Sequence, residues 1–533
     1  MVVAPQALAA DVGADVLAKG GNAVDAAVTT AFAQGILDPL NCGIGGFGAM
    51  VAYSAASGTW RALSFHARAG ALAREDMWQG LVEEEYERGA DGFRLRGYVN
   101  DVGYRSIATP GTVAGLASAL NELGSRDWAS AIGPAVPLAL AGYRITPRAR
   151  SLFRRSALDT GLHPAARGTA TPATSAIFTR DGHTLFETGD LFVQEDYGRT
   201  LLRLARSGPE DFYRGELAEQ ISSDIGAGGG YVTADDLRGY AVQWGGPLVG
   251  HYHGYRVATA PLPASGLSLL QMLHITERFD MAKMGHNSPD HIELLAGAMR
   301  WAVRDRLIYL DDPSFSPVPA EELLSDGRID EACQVIEGRQ EIPVPRWQPP
   351  DRGTTHVCVA DEQGNLVSLT HTLGAASGVV TPGLGFQYNN AMNCFNPIPG
   401  RANSIAPGKA RVSGIAPTVL DDGRGSRIVI GAPGGAKITN AILQVIINIV
   451  DFGMSPAEAV AATRIDCQGR AIEVEARLGE KTCQELARSG NQVVKSVAAY
   501  WDYPLVHAIV LDASSGRLDG GADPRGEGAA LTG

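Results

Sequence analysis

The apolar positions of the first forty residues follow helical spacing. Leu8, Val12, Val16 and Leu17 share one face of "PQALAADVGADVLAKGG", which opens near Pro5 and stops at Gly20-Gly21. "NAVDAAVTTAFAQGIL" follows, with Asn22 placed to cap it. Small or apolar residues lie on nearly all its faces, the pattern of a buried helix. "GIGGFGAMVAYSA" predicts a glycine turn running into a strand. Further helices are predicted over "ATPGTVAGLASALNELG", residues 197–225 and 265–279, and "PDHIELLAGAMRWAVRDRLIYLDDP", whose charges read as a solvated face. Residues 160–180, rich in Pro, Gly, Ser and Thr, predict a loop. From 325 to 353 the periodicity fades. "GRQEIPVPRWQPPDRG" reads as an exposed segment suited to a boundary or a cleavage region.

After residue 353 strand-like runs dominate: "THVCVAD", "NLVSLTHTL", "SRIVIGAP" and "HAIVLDA". One apolar helix, "TNAILQVIINIVDFG", interrupts them. "VCVADEQGNLVSL" predicts a hairpin with strands at about 355–361 and 366–373 around the turn "EQGN". Folding about that turn sets residues whose numbers sum to about 727 opposite one another. Thr354 and Thr372 then meet at the open end, within a register error of one. Cross-strand threonine pairs also occur for structural reasons alone.

A hydroxyl needs a base to act as a nucleophile. A threonine finds one in its own α-amino group if the chain is cut just before it. Such an amine titrates at about 8, suited to proton transfer near neutrality. Gly353 before Thr354 permits a close approach at such a cut. Acyl transfer also needs an oxyanion site, and "IVIGAPGGAKITNAIL" offers one. There a strand, a glycine turn and a helix would aim the N–H groups of Gly434 and Gly435 at a reacting carbonyl.

Two nucleotide-like patterns fail. Gly43, Gly45 and Gly48 fit GxGxxG, but a helix precedes and a strand follows, the reverse of the dinucleotide order. "GAPGGAKIT" has Ala436 where a phosphate loop needs Gly. The net charge of −13 and a pI near 5.4 argue against a nucleic-acid partner. The six cysteines are scattered, with no CxxC pair, and read as reduced, buried thiols. No metal or organic cofactor is implied. "HYH" at 251–253 reads as part of a strand. No apolar run is long enough for a membrane span and no signal peptide is visible, so a cytoplasmic location is expected.

Over nearly its whole length the chain resembles the γ-glutamyltransferase (glutathione hydrolase) family. The carrying stretches include "GGNAVDAAV", "GIGGFGAM", "ATPGTVAG", "DFYRGELAEQI", "LPASGLSLLQML", "GTTHVCVADEQGNLVSLTHTLG", "GFQYNNAM" and "GAPGGAKI". The resemblance implies a four-layer αββα sandwich of the N-terminal-nucleophile hydrolase type. It implies a precursor that cuts itself between Gly353 and Thr354, giving a large subunit of 1–353 and a small one of 354–533 that form one folded unit. Thr354 matches the nucleophile and Thr372 the threonine that hydrogen-bonds it. Gly434 and Gly435 match the oxyanion glycines, and Ser413 the first of two substrate-contacting serines. His356 also matches, with a structural role expected.

The departures concern the substrate. His66, in "SFHARAG", stands where the family holds a substrate carboxylate with arginine. Asn393 and Cys394 stand at its two acidic positions, where an aspartate holds the substrate ammonium. Gly374 replaces an asparagine and Gly414 the second serine. An ammonium in a partly dry pocket needs a carboxylate, and losing a bidentate arginine contact costs about 2–3 kcal/mol. The expectation is an amide hydrolase or acyltransferase acting on a small-molecule amide with a different acyl group. That group would be either smaller or less charged, or would carry a carboxylate held by His66, Arg68 or Lys437. A γ-glutamyl enzyme with atypical anchors and an unprocessed, non-catalytic binding protein are the alternatives.

Overall fold

The computed structural model describes every residue except 86–92, 159–166, 346–352, 498–503 and 514. Two antiparallel sheets lie at its centre. The seven-stranded sheet runs, in spatial order, 529–531, 2–4, 355–360, 366–372, 47–54, 59–65 and 243–245. The six-stranded sheet runs 517–521, 507–512, 427–431, 418–421, 255–259 and 248–252.

Period-two alternation in the central hairpin divides the core. Val357, Val359, Val367 and Leu369 pack outward with the helices Ala7–Ala18 and Ala23–Leu37. Cys358, Ala360 and Leu366 pack inward with Val419, Val429 and Ile430 of the other sheet. The helices Gly266–Glu277, Pro289–Tyr309 and Ile438–Val450 cover that sheet's far side. The result is the expected αββα sandwich. Asn22 caps its helix, its side chain accepting from Val24 N and Asp25 N, as the sequence predicts.

Three local expectations are corrected. Within the presumed loop of 160–180, Pro172–Phe178 is a helix, because the Thr171 side chain caps it ahead of a proline in the first turn. The region after 325 begins with another helix, Asp326–Glu337, capped by Ser325; residues 346–352 lie outside the described residues. The charges of Pro289–Tyr309 are not all solvated. Asp305 is buried and paired with Arg304 at 2.9 Å and Arg328 at 2.7 Å. Residues 197–225 are helical but broken at Gly208 and Gly215.

All six cysteines are buried free thiols. Among the described residues no helix is long and apolar enough to cross a membrane, and no group of three or more His, Cys, Asp or Glu side chains is placed to hold a metal ion.

Candidate active site

The hairpin register pairs Thr355 with His371 and His356 with Thr370, so paired numbers sum to 726. The expected sum of 727 is off by one. The correction sets Thr354 directly opposite Thr372. Their hydroxyl oxygens are 3.0 Å apart, and both residues are buried.

Both hydroxyls also lie against one carbonyl. Thr354 Oγ1 and Thr372 Oγ1 each reach the carbonyl oxygen of Gly353, with Thr372 as donor. Gly374 N donates to Thr372 Oγ1 at 2.8 Å, which fixes that hydroxyl's remaining geometry. A Cβ on Gly353 would collide with the Gly374 carbonyl, so only glycine fits before Thr354 in this arrangement.

Asp38 braces both arms of the hairpin one residue beyond each threonine. Its Oδ2 accepts from Gln6 Nε2 at 2.9 Å, and Gln6 reaches Thr355 Oγ1. Its Oδ1 accepts from Asn41 Nδ2 at 2.7 Å, and the Asn41 carbonyl accepts from Leu373 N at 2.8 Å. Burial pushes the Asp38 carboxyl up to about 6. Gln34 adds bonds to Thr355 Oγ1 and His356 O, both at 3.0 Å.

The glycine turn belongs to the facing sheet. Ser368 Oγ donates to Ile430 O at 2.9 Å, and the His356 ring lies against Gly431, so the two sheets touch near Thr354. The strand Arg427–Gly431 then leads into Gly434, at φ +142°, and Gly435, at φ +60°, before the helix Ile438–Val450. These positive φ values favour glycine. His356 itself is buried between Thr370 Oγ1 at 2.8 Å and Cys358 Sγ at 3.2 Å.

Residues expected to contact substrate connect to Thr372 through neighbouring side chains. Thr372 pairs across the sheet with Phe47, whose ring lies 6.0 Å from that of His66. His66 Nε2 meets Ser413 Oγ at 2.8 Å, and its Nδ1 meets Ser64 Oγ at 2.9 Å. Burial, aided by Arg411 and Arg68, pushes the His66 imidazole down to about 3. His66 is therefore neutral at physiological pH and is no cationic substitute for the family arginine.

Lys437 is also excluded as a carboxylate anchor. It is buried, bonds Glu473, and has Asp466 at 3.8 Å. Arg68 differs: it is half-buried, its field reaches His66, and among the described residues it has no carboxylate partner. It lies two residues beyond His66, past the end of the strand Thr59–Phe65.

At the ammonium end the structure shows a closed group of polar residues. Asn393 Nδ2 donates to Asp101 Oδ1 at 3.2 Å, and Asn390 Nδ2 to the same oxygen at 3.0 Å. Arg167 Nη2 bonds both Asp101 oxygens, at 2.7 and 2.8 Å. Cys394 Sγ donates to Asn393 Oδ1 at 2.9 Å. The carboxylate missing from the linear motif is thus present nearby, but Arg167 neutralises it. Sequence reasoning missed Asp101 and Arg167. They belong to no recognisable motif and come from segments far from Asn393 in the chain.

A match to the family model described as Gamma-glutamyltranspeptidase covers residues 9–533. The chain is 35% identical over 505 residues to "Acylase ACY 1 proenzyme" of Pseudomonas sp. (strain V22), covering 93% of this chain and 87% of that protein. It is 32% identical over 558 residues to the "Glutathione hydrolase proenzyme" of Bacillus subtilis (strain 168), covering 100% and 91%. Among solved structures, a cephalosporin acylase from Bacillus halodurans superposes with a TM-score of 0.87 at 28% identity, covering 100% of this chain and 95% of that one.

Proposed function

Because the chain belongs to the gamma-glutamyltranspeptidase family, we propose that it is a self-processing threonine amide hydrolase or acyltransferase whose acyl donor lacks the α-ammonium of a γ-glutamyl group. The observation that carries the first part is the contact of both threonine hydroxyls with the Gly353 carbonyl.

In self-cleavage, Thr354 Oγ attacks the Gly353 carbonyl carbon while Thr372 donates to its oxygen. The C–N bond breaks, the nitrogen takes up a proton, and an ester on Thr354 remains. Water hydrolyses that ester, leaving the Gly353 carboxylate and a free Thr354 amine. The large subunit is then 1–353 and the small one 354–533. The strand Val2–Ala4 lies between the strands 355–360 and 529–531, which supports one interleaved unit.

In turnover, the Thr354 amine takes the proton from Oγ as the oxygen attacks the substrate amide. The N–H groups of Gly434 and Gly435 hold the oxyanion. The leaving amine takes the proton, and water or a second amine then attacks the acyl-threonine. Water gives hydrolysis and an amine gives transfer.

The donor follows from the charges. Arg68 supports a carboxylate on the acyl group, and Asp101, neutralised by Arg167, supports the absence of an ammonium. Glutaryl is γ-glutamyl without that ammonium. The relatives named as acylases accord with this reading. The test pairs intact mass under denaturing conditions with hydrolysis of glutaryl-, γ-glutamyl- and acetyl-4-nitroanilide. Two fragments for the native protein, one chain for Thr354→Ala, and fastest release from the glutaryl anilide are expected. A preference for γ-glutamyl would overturn the donor assignment. An uncut native chain would overturn the mechanism.

A further inference from the structure

The turn carrying Gly434 is held from outside by a buried ion pair, and we infer that Arg464 and Asp523 are positioning residues for the oxyanion site, acting through Pro504. This rests on the reading of Gly434 and Gly435 as the oxyanion glycines. Both charged side chains are fully buried, and Asp523 is shared with Arg525, whose Nη1 donates to its Oδ1 at 3.0 Å and which also pairs with Glu475. Arg464 Nη2 donates to Asp523 Oδ2 at 2.7 Å and to the Pro504 carbonyl at 2.6 Å. The same Asp523 oxygen accepts from Val506 N at 2.9 Å. The pair therefore grips the chain on both sides of Leu505.

That short segment meets the glycine turn directly. Leu505 N donates to Pro433 O at 3.2 Å. A Cβ on Gly434 would stand 2.6 Å from Cβ and Cγ of Pro504, so the proline ring occupies the space that a side chain at 434 would need. The strand His507–Asp512 pairs with Arg427–Gly431, so the two chains leave the sheet side by side and remain locked through Leu505 and Pro433. Any shift of Pro504 is transmitted to the backbone N–H groups that face the reacting carbonyl.

A buried ion pair is weak support for stability as such. Both Arg464 bonds leave one guanidinium nitrogen, Nη2, whose two N–H groups are held in a fixed plane and so fix the directions to the two acceptors. Lysine keeps the charge but presents a rotating ammonium on a flexible stem, so it holds the Pro504 carbonyl and Asp523 less firmly.

The test measures hydrolysis of glutaryl-4-nitroanilide and γ-glutamyl-4-nitroanilide, using whichever the native enzyme cleaves faster. Arg464→Lys, Pro504→Ala and Gly434→Ala are compared, with thermal unfolding recorded for each. Pro504→Ala leaves the ion pair intact, so it stays informative even if Arg464→Lys does not fold. The expected result for Pro504→Ala is a fall in kcat of about tenfold to a hundredfold, with KM within twofold and Tm little changed. If Arg464→Lys folds, its kcat falls similarly, and a variant combining Arg464→Lys with Pro504→Ala is no worse than the larger single effect. An unchanged kcat, or a loss confined to KM, in a folded Pro504→Ala enzyme would overturn the proposal. If Gly434→Ala still lowers kcat in that case, the oxyanion reading stands alone. If Gly434→Ala also leaves kcat unchanged, that reading falls and takes the positioning role with it.

Discussion

His66 Nε2 and Ser413 Oγ, 347 positions apart in the chain, share a hydrogen bond of 2.8 Å in a buried site. The imidazole is neutral, and Arg68 and Arg411 both act on it. Restoring the family's arginine with His66→Arg would add another guanidinium to this buried neighbourhood and break the bond to Ser413. We expect a loss of about 2–4 kcal/mol in stability, read by denaturant unfolding, and no gain in γ-glutamyl-4-nitroanilide hydrolysis. A stable variant with raised γ-glutamyl activity would contradict this picture of the pocket.

Self-cleavage depends on the fit at Gly353. Gly353→Ala places a methyl group against the Gly374 carbonyl. Its precursor should persist near 56.0 kDa for at least ten times longer than the native one on denaturing gels. Thr372→Val removes the donor to the Gly353 oxygen and should slow cleavage by about a hundredfold. Native cleavage rates in either variant would remove the basis for these roles.

Gly414 cannot simply be returned to serine. A Cβ there would collide with the Gly435 carbonyl. Gly414→Ser should displace the Gly434–Gly435 turn, cost about 1–3 kcal/mol of stability, and, if that turn holds the oxyanion as proposed, lower kcat more than it raises KM. Steady-state kinetics on the preferred anilide would show it, and a change in KM alone would not fit.

Asn393→Asp should not create an ammonium site. The substitution removes the amide donor to Asp101 and sets a second carboxylate beside it. A loss of about 1–3 kcal/mol is expected, together with a carboxyl titrating above its usual range. Thermal unfolding at pH 5 and pH 7.5 would show a smaller penalty at the lower pH, where that carboxyl takes up a proton.

Acid sensitivity follows from the buried histidines. His66 and His371 are pushed down to about 3, and His291 and His507 to about 4, chiefly by burial. Their folded values lie below the unfolded value of about 6.5. The unfolded chain therefore binds more protons between the two, and stability present above about 6.5 is lost as pH falls toward the folded values. Each contributes a loss of about 2 kcal/mol by pH 5. Asp38, raised to about 6, opposes this, because its folded form gains stability on protonation. Asp451 and Asp466 are raised by burial too, and His274, His286 and His356 are lowered by it; the histidines outnumber the carboxyls, so Tm should fall from pH 7 to pH 5. A flat profile would refute the assignment.

Much of the active centre was determined by local sequence. A two-residue period and a Gly/Asn turn set the hairpin, and a hairpin brings its two open-end residues together whatever surrounds it. Thr354 and Thr372 were therefore visible within one register step, and Gly434 and Gly435 were visible as a strand–turn–helix junction. The charge state of the pocket was not. His66 occupies an arginine's place in the sequence, but whether it carries a charge depends on burial and on Arg68 and Arg411. Asn393 looks like a lost anchor until Asp101 and Arg167 are seen beside it. Lys437 looks available until Glu473 and Asp466 are seen around it. Desolvation and ion pairing join groups far apart in the chain, and no pattern of neighbours along the sequence encodes them. The tertiary structure alone decided which charges face a substrate and which are already paired.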